Sequence, residues 1–172
     1  VVYSNDGAIA FIAGKNGKIY VFDNQSLNVF HTIQLVNSTA RIAGLAVVDN
    51  WLYVAENSPA ASAGSRLLRI NIDQLDPDFL NEQQVIDLGF TPPNGFKGMA
   101  VNNGSYLALT APNLASSHSN VIIGNLNAPK GNVYFINLGK INEEGQLASA
   151  GLFVLDSEKI AQNLPSNIAN IR

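Results

Sequence analysis

Apolar and polar residues alternate along most of this chain, or gather in short apolar runs, with turn-forming residues between them. Ala8 to Ala13 is one such run, followed by a tight turn at Gly14-Lys15-Asn16-Gly17. Lys18 to Asp23 is the next, then a turn at Asn24-Gln25-Ser26, then Asn28 to Leu35. β-Branched and aromatic residues at period two, punctuated by Asn, Gly and Asp, predict strands. The 3.6-residue helical period is nearly absent. Its one exception is Asp156 to Leu164, where Asp156 or Ser157 can cap a short helix that Pro165 ends.

The pattern also repeats. Gly44-Leu45-Ala46-Val47, a turn at Asp49-Asn50, and Trp51-Leu52-Tyr53-Val54 recur as Gly98-Met99-Ala100-Val101, a turn at Asn102-Asn103-Gly104, and Tyr106-Leu107-Ala108. Asn5-Asp6-Gly7 before Ala8 to Ile12 is a third copy of the turn and its second strand. Two further strands follow the later hairpins: Arg66 to Ile72 and Gln84 to Leu88, then Gly131 to Leu138 and Ala150 to Leu155. Four antiparallel strands in each unit of about 40–50 residues is the arithmetic of a β-propeller blade. An all-β sandwich gives evenly spaced strands with no sequence copy at blade spacing. The copied Gly-x-Ala-Val strand and its hairpin therefore favour the propeller.

The stretch Phe11 to Asp23, the flow into Val29-Phe30-His31-Thr32-Ile33, and the phrase Leu52-Tyr53-Val54-Ala55-Glu56-Asn57 resemble the YVTN repeats of YncE-like and surface-layer β-propellers. The resemblance covers about residues 1–110 and fades where Leu107-Ala108-Leu109-Thr110 replaces the phrase. It implies a fold and no catalytic group.

On this basis blade 1 covers about 1–36, blade 2 about 37–89 and blade 3 about 90–156, with 157–172 starting a further blade or forming a connecting turn. Three blades fall below the usual minimum of four and leave sheet faces bare. The expectation is an incomplete ring, closed by remaining blades of a longer polypeptide or by a second copy. With strands lettered A to D outward from the axis, the A–B turns are minimal. The B–C loops grow from Gly14–Gly17, through about Asn57–Ser65, to about Ala111–Lys130. Insertions on one face of a repeat scaffold mark a candidate binding surface, although tolerated surface loops also drift in length.

Composition narrows the choices. The 172 residues are 47% apolar and 13% charged, enough for a packed core and unlike a disordered chain. A net charge of −3 offers no basic footprint for nucleic acid. The absence of cysteine excludes disulfides, thiolate zinc sites and a Cys-x-x-Cys-His haem attachment. Apolar runs such as Ile9 to Ala13 and Leu45 to Val48 are too short to span a bilayer. No signal peptide is evident, though an initial Val1 fits a processed or excised segment. The 22 asparagines outnumber the lysines, arginines and glutamates together. Many stand at turns (Asn5, Asn16, Asn24, Asn50, Asn102, Asn103), where tolerance of left-handed backbone favours them. Three Asn-x-Ser/Thr patterns, at Asn24, Asn37 and Asn103, matter only in a eukaryotic secretory pathway.

No nucleophile elbow, zinc-protease helix or phosphate loop appears. His31 reads as a strand residue with a satisfied ring. His118, inside the long third B–C loop, can bind or shuttle protons near neutral pH, but a solvated loop histidine is the favoured reading. Asp73, Asp76 and Asp78 form an oxygen-rich cluster that could hold Ca²⁺, but the spacing is not that of an EF-hand. Turn setting by Asp73 and Asp76, and capping of a helical turn from Pro77 to Asn81, is the favoured reading. Glu56 and Asn57 end strand B of blade 2 at the mouth of the candidate face. In lactonase-like propellers such residues hold an axial metal, yet the equivalent positions here, Gly14-Lys15 and Thr110-Ala111, cannot complete a shell, which favours a strand-end turn with a solvated carboxylate at Glu56. Arg41 and Lys97 precede strand A of blades 2 and 3 and can present positive charge around the axis. Trp51 reads as core.

These features point to a non-enzymatic binding or scaffolding module that takes a protein or glycan ligand. The Asn-rich, lysine-poor composition suggests an extracytoplasmic setting in a bacterial-type protein. No cofactor is required. The alternative is a lactonase-like hydrolase with a metal on the axis.

Overall fold

The computed structural model describes residues 1–58, 64–73, 75–76, 80–89, 95–102, 105–112 and 131–156. The expected helix beyond Asp156, the further blade at 157–172, His118 and Asp78 all lie outside them. Within the described residues the chain folds as three antiparallel meanders of four strands each. Sheet 1 comprises β1 (Val2–Tyr3), β2 (Ile9–Ala13), β3 (Lys18–Asp23) and β4 (Asn28–Gln34). Sheet 2 comprises β5 (Arg41–Val48), β6 (Trp51–Asn57), β7 (Ser65–Asn71) and β8 (Gln83–Ile86). Sheet 3 comprises β9 (Gly98–Asn102), β10 (Tyr106–Pro112), β11 (Gly131–Asn137) and β12 (Leu152–Asp156).

The sheets stack in chain order, and side-chain alternation shows how. Phe11, Ile19, Val21 and Ile33 on one face of sheet 1 pack against Leu52, Val54, Leu68 and Ile70 of sheet 2. The opposite face of sheet 2, with Ala46, Tyr53, Ala55 and Leu67, packs against Leu107, Leu109, Tyr134 and Ile136 of sheet 3. Each sheet thus presents a front to the back of its successor. Three stacked four-stranded sheets with two separate cores are propeller blades; a sandwich would have two sheets and one core. Being covered on both sides, β6 is buried from Leu52 through Glu56 without alternation.

The inner strands set how closely blades approach. At Gly44 a Cβ would lie 2.6 Å from the Met99 Cβ, so only glycine lets β5 and β9 meet. The repeated motif places Gly98 on the front of sheet 3, where a Cβ would touch nothing closer than the Thr110 hydroxyl at 3.4 Å. The copy is in phase along strand A, where Ala46 opposes Tyr53 and Ala100 opposes Ala108. It slips by one residue along strand B, because two residues separate Val48 from Trp51 and three separate Asn102 from Tyr106. Leu52 therefore corresponds in space to Leu107.

The asparagines work differently from expectation. Of those described at turns, Asn16 alone has left-handed backbone, with φ 58°, and the other non-glycine cases are Leu27 and Asp49. Most act through their side chains, which lace the turn-end loops. Asn5 donates to the Asp49 carbonyl, Asn24 to the Gly7 carbonyl and Asn50 to the Asp73 carboxylate. Short amides supply such local bonds where no ladder partner exists. His31 also departs from expectation: its ring lies opposite Val21, and its buried Nε2 finds no hydrogen-bond partner among the described residues. Its surroundings are the apolar side of β4, beside the bulge at Val21/Phe22. No described helix is long and apolar enough to cross a membrane.

Two aspartates pin turns in sheet 1. Asp6 accepts from the Ser4 hydroxyl at 2.6 Å and the Ala8 amide at 3.0 Å; Asp23 accepts from the Gln25 amide at 2.7 Å and the Ser26 amide at 3.0 Å. These bonds favour the ionised form. The Ser4 hydroxyl foremost holds Asp6 below the ordinary carboxylate range, and the Ser26 amide foremost does so for Asp23.

Two outcomes follow. Gly44→Ala forces the inner strands of blades 2 and 3 apart and lowers stability by about 1–3 kcal/mol in urea titration. Because the folded-state values of Asp6 and Asp23 are depressed, their contribution is present above the ordinary carboxylate range and lost as pH falls through the depressed values. Urea midpoints measured against pH will fall on that acid side, and Asp23→Ala will make the fall shallower.

Candidate functional site

Every strand A starts, and every strand B ends, at the same end of the blades. At that end of sheet 2 the register aligns Arg41, Asn57 and Ser65 across β5, β6 and β7, with Glu56 opposite Arg66 in the next row. The equivalent end of sheet 3 carries Lys97, whose amide donates to the Thr110 carbonyl at 2.8 Å, and Gly98 opposite Thr110. The structure thus brings Arg41, Glu56, Asn57 and Lys97 to one end of neighbouring blades. Asp73 lies at the opposite end, beside the A–B turns.

The chemistry of these groups differs sharply. Glu56 is fully buried, and Arg66 grips it through Nε at 3.1 Å and Nη2 at 2.7 and 3.0 Å. Cross-strand register makes this pair, and charge-assisted bonds with nearly planar partners hold it firmly. Asn57 donates to the Phe96 carbonyl at 2.7 Å and accepts from the Phe96 amide at 2.8 Å. This reciprocal clasp fixes the connection into β9 and seats the Phe96 ring in the core between sheets 2 and 3. Gly95, with φ 76°, has no room for a side chain because the Asn57 amide occupies that space. Arg41 and Lys97, by contrast, are exposed.

This donor set does not fit an axial metal. Both Glu56 oxygens accept from Arg66, so neither is left for a metal. Asn57 is engaged with backbone, and blades 1 and 3 offer Gly14-Lys15 and Thr110-Ala111 at the corresponding places. Asp73 accepts from Asn50, the Asp76 carbonyl accepts from the Leu80 amide at 3.0 Å, and Asp78 lies outside the described residues. Among the described residues no three His, Cys, Asp or Glu side chains gather into a metal-binding set.

A second polar centre, on the front of sheet 2 near the A–B turns, was not singled out from sequence. Arg69 is 6% exposed, yet its side chain makes no ion pair with a carboxylate among the described residues. Its guanidinium lies 4.4 Å from the centre of the Trp51 ring. It bonds Gln84 and donates to the carbonyls of Asn142 (2.8 Å) and Glu143 (3.0 Å) in the β11–β12 connection. Burial pushes the Tyr53 hydroxyl above its ordinary range, and the neighbouring Arg69 charge and hydrogen bond offset only part of that. A cavity of about 400 Å³ adjoins these groups, lined also by Asp49, Ser105 and Asn137. The sequence signal was a lone arginine inside the apolar run Leu67-Leu68-Arg69-Ile70. Two of its partners, the Asn142 and Glu143 carbonyls, lie more than 70 residues away and are set by packing. Trp51, expected in the core, packs against it and supplies the π face.

No protein-family model matches the chain, and no curated protein matches it. Among solved structures, the chain is similar to Kuenenia stuttgartiensis hydrazine synthase, at 15% identity and a TM-score of 0.42. The alignment covers 90% of this chain and 48% of that one, so the chain spans about half the length of the structure it matches. The class defined by the sheets themselves is that of β-propeller blades.

Removing Arg66 strands a buried carboxylate. Arg66→Met will cost roughly 2–4 kcal/mol in chemical denaturation, below the figure for a fully dry pair because Arg66 is 31% exposed. Adding Glu56→Gln to that variant will recover most of the loss. A double variant no more stable than Arg66→Met would show that the pair contributes nothing specific.

Proposed function

We propose that this chain is a binding or scaffolding β-propeller module that engages its ligand at the end carrying the B–C and D–A connections. One observation carries the reading. At that end Glu56 and Asn57 are committed to the fold, while Arg41 and Lys97 stand in water on adjacent inner strands. The B–C connections at the same end span residues 14–17, 58–64 and 113–130, lengthening from blade to blade. Two exposed cations beside a neutralised carboxylate suit an acidic ligand, a glycan or a protein segment. Further blades complete the ring. The resemblance to YVTN-repeat surface-layer propellers supports an extracytoplasmic setting of bacterial type, and the residues need no cofactor for this role.

Titration with an acidic polysaccharide, its neutral counterpart and an acidic peptide tests the reading. The acidic ligands are expected to bind, more weakly as salt rises. Arg41→Glu combined with Lys97→Glu lowers the affinity about tenfold or more. Unchanged binding by that variant, or lactone turnover that depends on an added divalent metal, would overturn it.

A further inference from the structure

The joints between successive blades set out positive charge in a row. The Gly17 amide, in the B–C turn of blade 1, donates to the Ala40 carbonyl at 2.9 Å, just before strand A of blade 2. Lys18 and Arg41 each follow one of the two bonded residues, and both are exposed, as is Lys15 in the same turn. One blade on, the clasp of Asn57 on Phe96 repeats the device. Asn57 pairs with Arg41 across sheet 2, and the exposed Lys97 follows Phe96. Each blade is pinned to the start of the next by hydrogen bonds, and exposed cations stand beside each pin. Lys15, Lys18, Arg41 and Lys97 thus form one arc over three blades.

This arc meets little negative charge. The sequences of the B–C connections, 14–17, 58–64 and 113–130, contain no carboxylate, and Asp87 is the single one in the D–A connections, 35–40 and 87–97. The Asp87 carboxylate accepts from the Gly89 amide at 2.8 Å, and Glu56 is spent on Arg66. Asp156 ends β12 at this end, and residues 157–172 carry Glu158 against Lys159 and Arg172. The opposite end is acidic, with Asp6, Asp49, Asp73, Asp76 and Glu82 exposed at its turns and connections. Opposite signs at the two ends orient a charged ligand before contact.

Resting on the acidic-ligand reading given above, we propose that the ligand is a linear anionic polysaccharide lying across the three blades along Lys15, Lys18, Arg41 and Lys97. A single acidic group satisfies one or two of these cations, whereas a chain with a carboxylate on each sugar meets them all. The surroundings favour sugar over peptide. Asn16, Ser38, Thr39 and Thr110 are exposed beside the cations, and their amides and hydroxyls suit sugar hydroxyls. Among the described residues, Val1 and Val36 are the only exposed large apolar side chains at this end. Protein interfaces are anchored instead by buried aromatic residues.

Calorimetric titration of the whole chain with polygalacturonate, monomeric galacturonate and polyglutamate tests this. The polysaccharide is expected to bind about a hundredfold tighter than its monomer at equal carboxylate concentration, and tighter than polyglutamate. Counterion release makes the logarithm of affinity fall with that of salt in proportion to the cations engaged, so Lys15→Gln with Lys18→Gln is expected to reduce that slope to about half. Both lysines are exposed, and an unchanged urea midpoint shows that the variant stays folded. A wild-type slope in this variant, or equal affinity for monomer and polymer, overturns the proposal. If Arg41→Glu with Lys97→Glu still abolishes that binding, the acidic-ligand function stands with a site confined to blades 2 and 3. Polyglutamate binding as tightly as polygalacturonate overturns the sugar and likewise leaves the binding function intact. A chain that binds none of the three overturns both readings.

Discussion

The contact between Gly44 and Met99 governs how this molecule is put together. Two inner strands of neighbouring blades can approach until a glycine is the only residue that fits, and the larger outer side chains fill the widening gap behind them. Dispersion contacts fall off steeply with separation. A small residue at the narrow end therefore decides whether Leu67, Tyr134 and Ile136 reach one another at the wide end. The burial of sheet 2 on both faces follows from the same stacking. It explains why polar groups there, Glu56 and Arg69, each carry a full set of partners: water cannot substitute for them.

Much of the fold was legible because period two survives in β3, where Ile19 and Val21 are buried between less buried neighbours, and because the Gly-x-Ala-Val phrase is repeated at blade spacing. The phase of the copies was less so. One extra residue before Tyr106 shifts strand B against strand A, and an alignment by letters pairs Leu52 with Tyr106 where the sheet pairs it in space with Leu107. The doubly covered strand β6 offers no alternation from which to assign its faces. Asparagine was legible as turn chemistry, but the mechanism was not. Left-handed backbone accounts for Asn16, whereas Asn5, Asn24 and Asn50 reach across loops whose proximity only the folded chain creates.

The site shows the same division. Glu56 was recognisable as a strand-end carboxylate, but the carboxylate expected in solvent is fully buried. That Arg66 neutralises it depends on register across a hairpin whose connecting residues say nothing about pairing. Asn57 and Phe96 are 39 residues apart in sequence, and nothing local in either predicts a reciprocal clasp. A face defined in sequence by three polar types thus becomes, in space, a face whose carboxylate and amide hold the scaffold and whose free charge is positive. The fold constrains where a ligand can sit and leaves its identity to surface residues.

The segment that connects β11 to β12 has a role in time as well as space. Its Gly145 carbonyl and Leu147 amide bond Asp87 at 2.8 and 3.1 Å, Gln146 bridges Asp87 in parallel, and Arg69 and Gln84 reach the carbonyls beside it. The outer edge of blade 2 is thereby capped by residues of blade 3. At roughly 5–20 residues per second on the ribosome, the cap emerges several seconds after the edge it covers. During that interval β8 is an open template for any passing strand. The short length of β8, the polar Gln83 and Gln84 within it, and the exposed Asp87 after its end keep that template poor until its own chain arrives to close it.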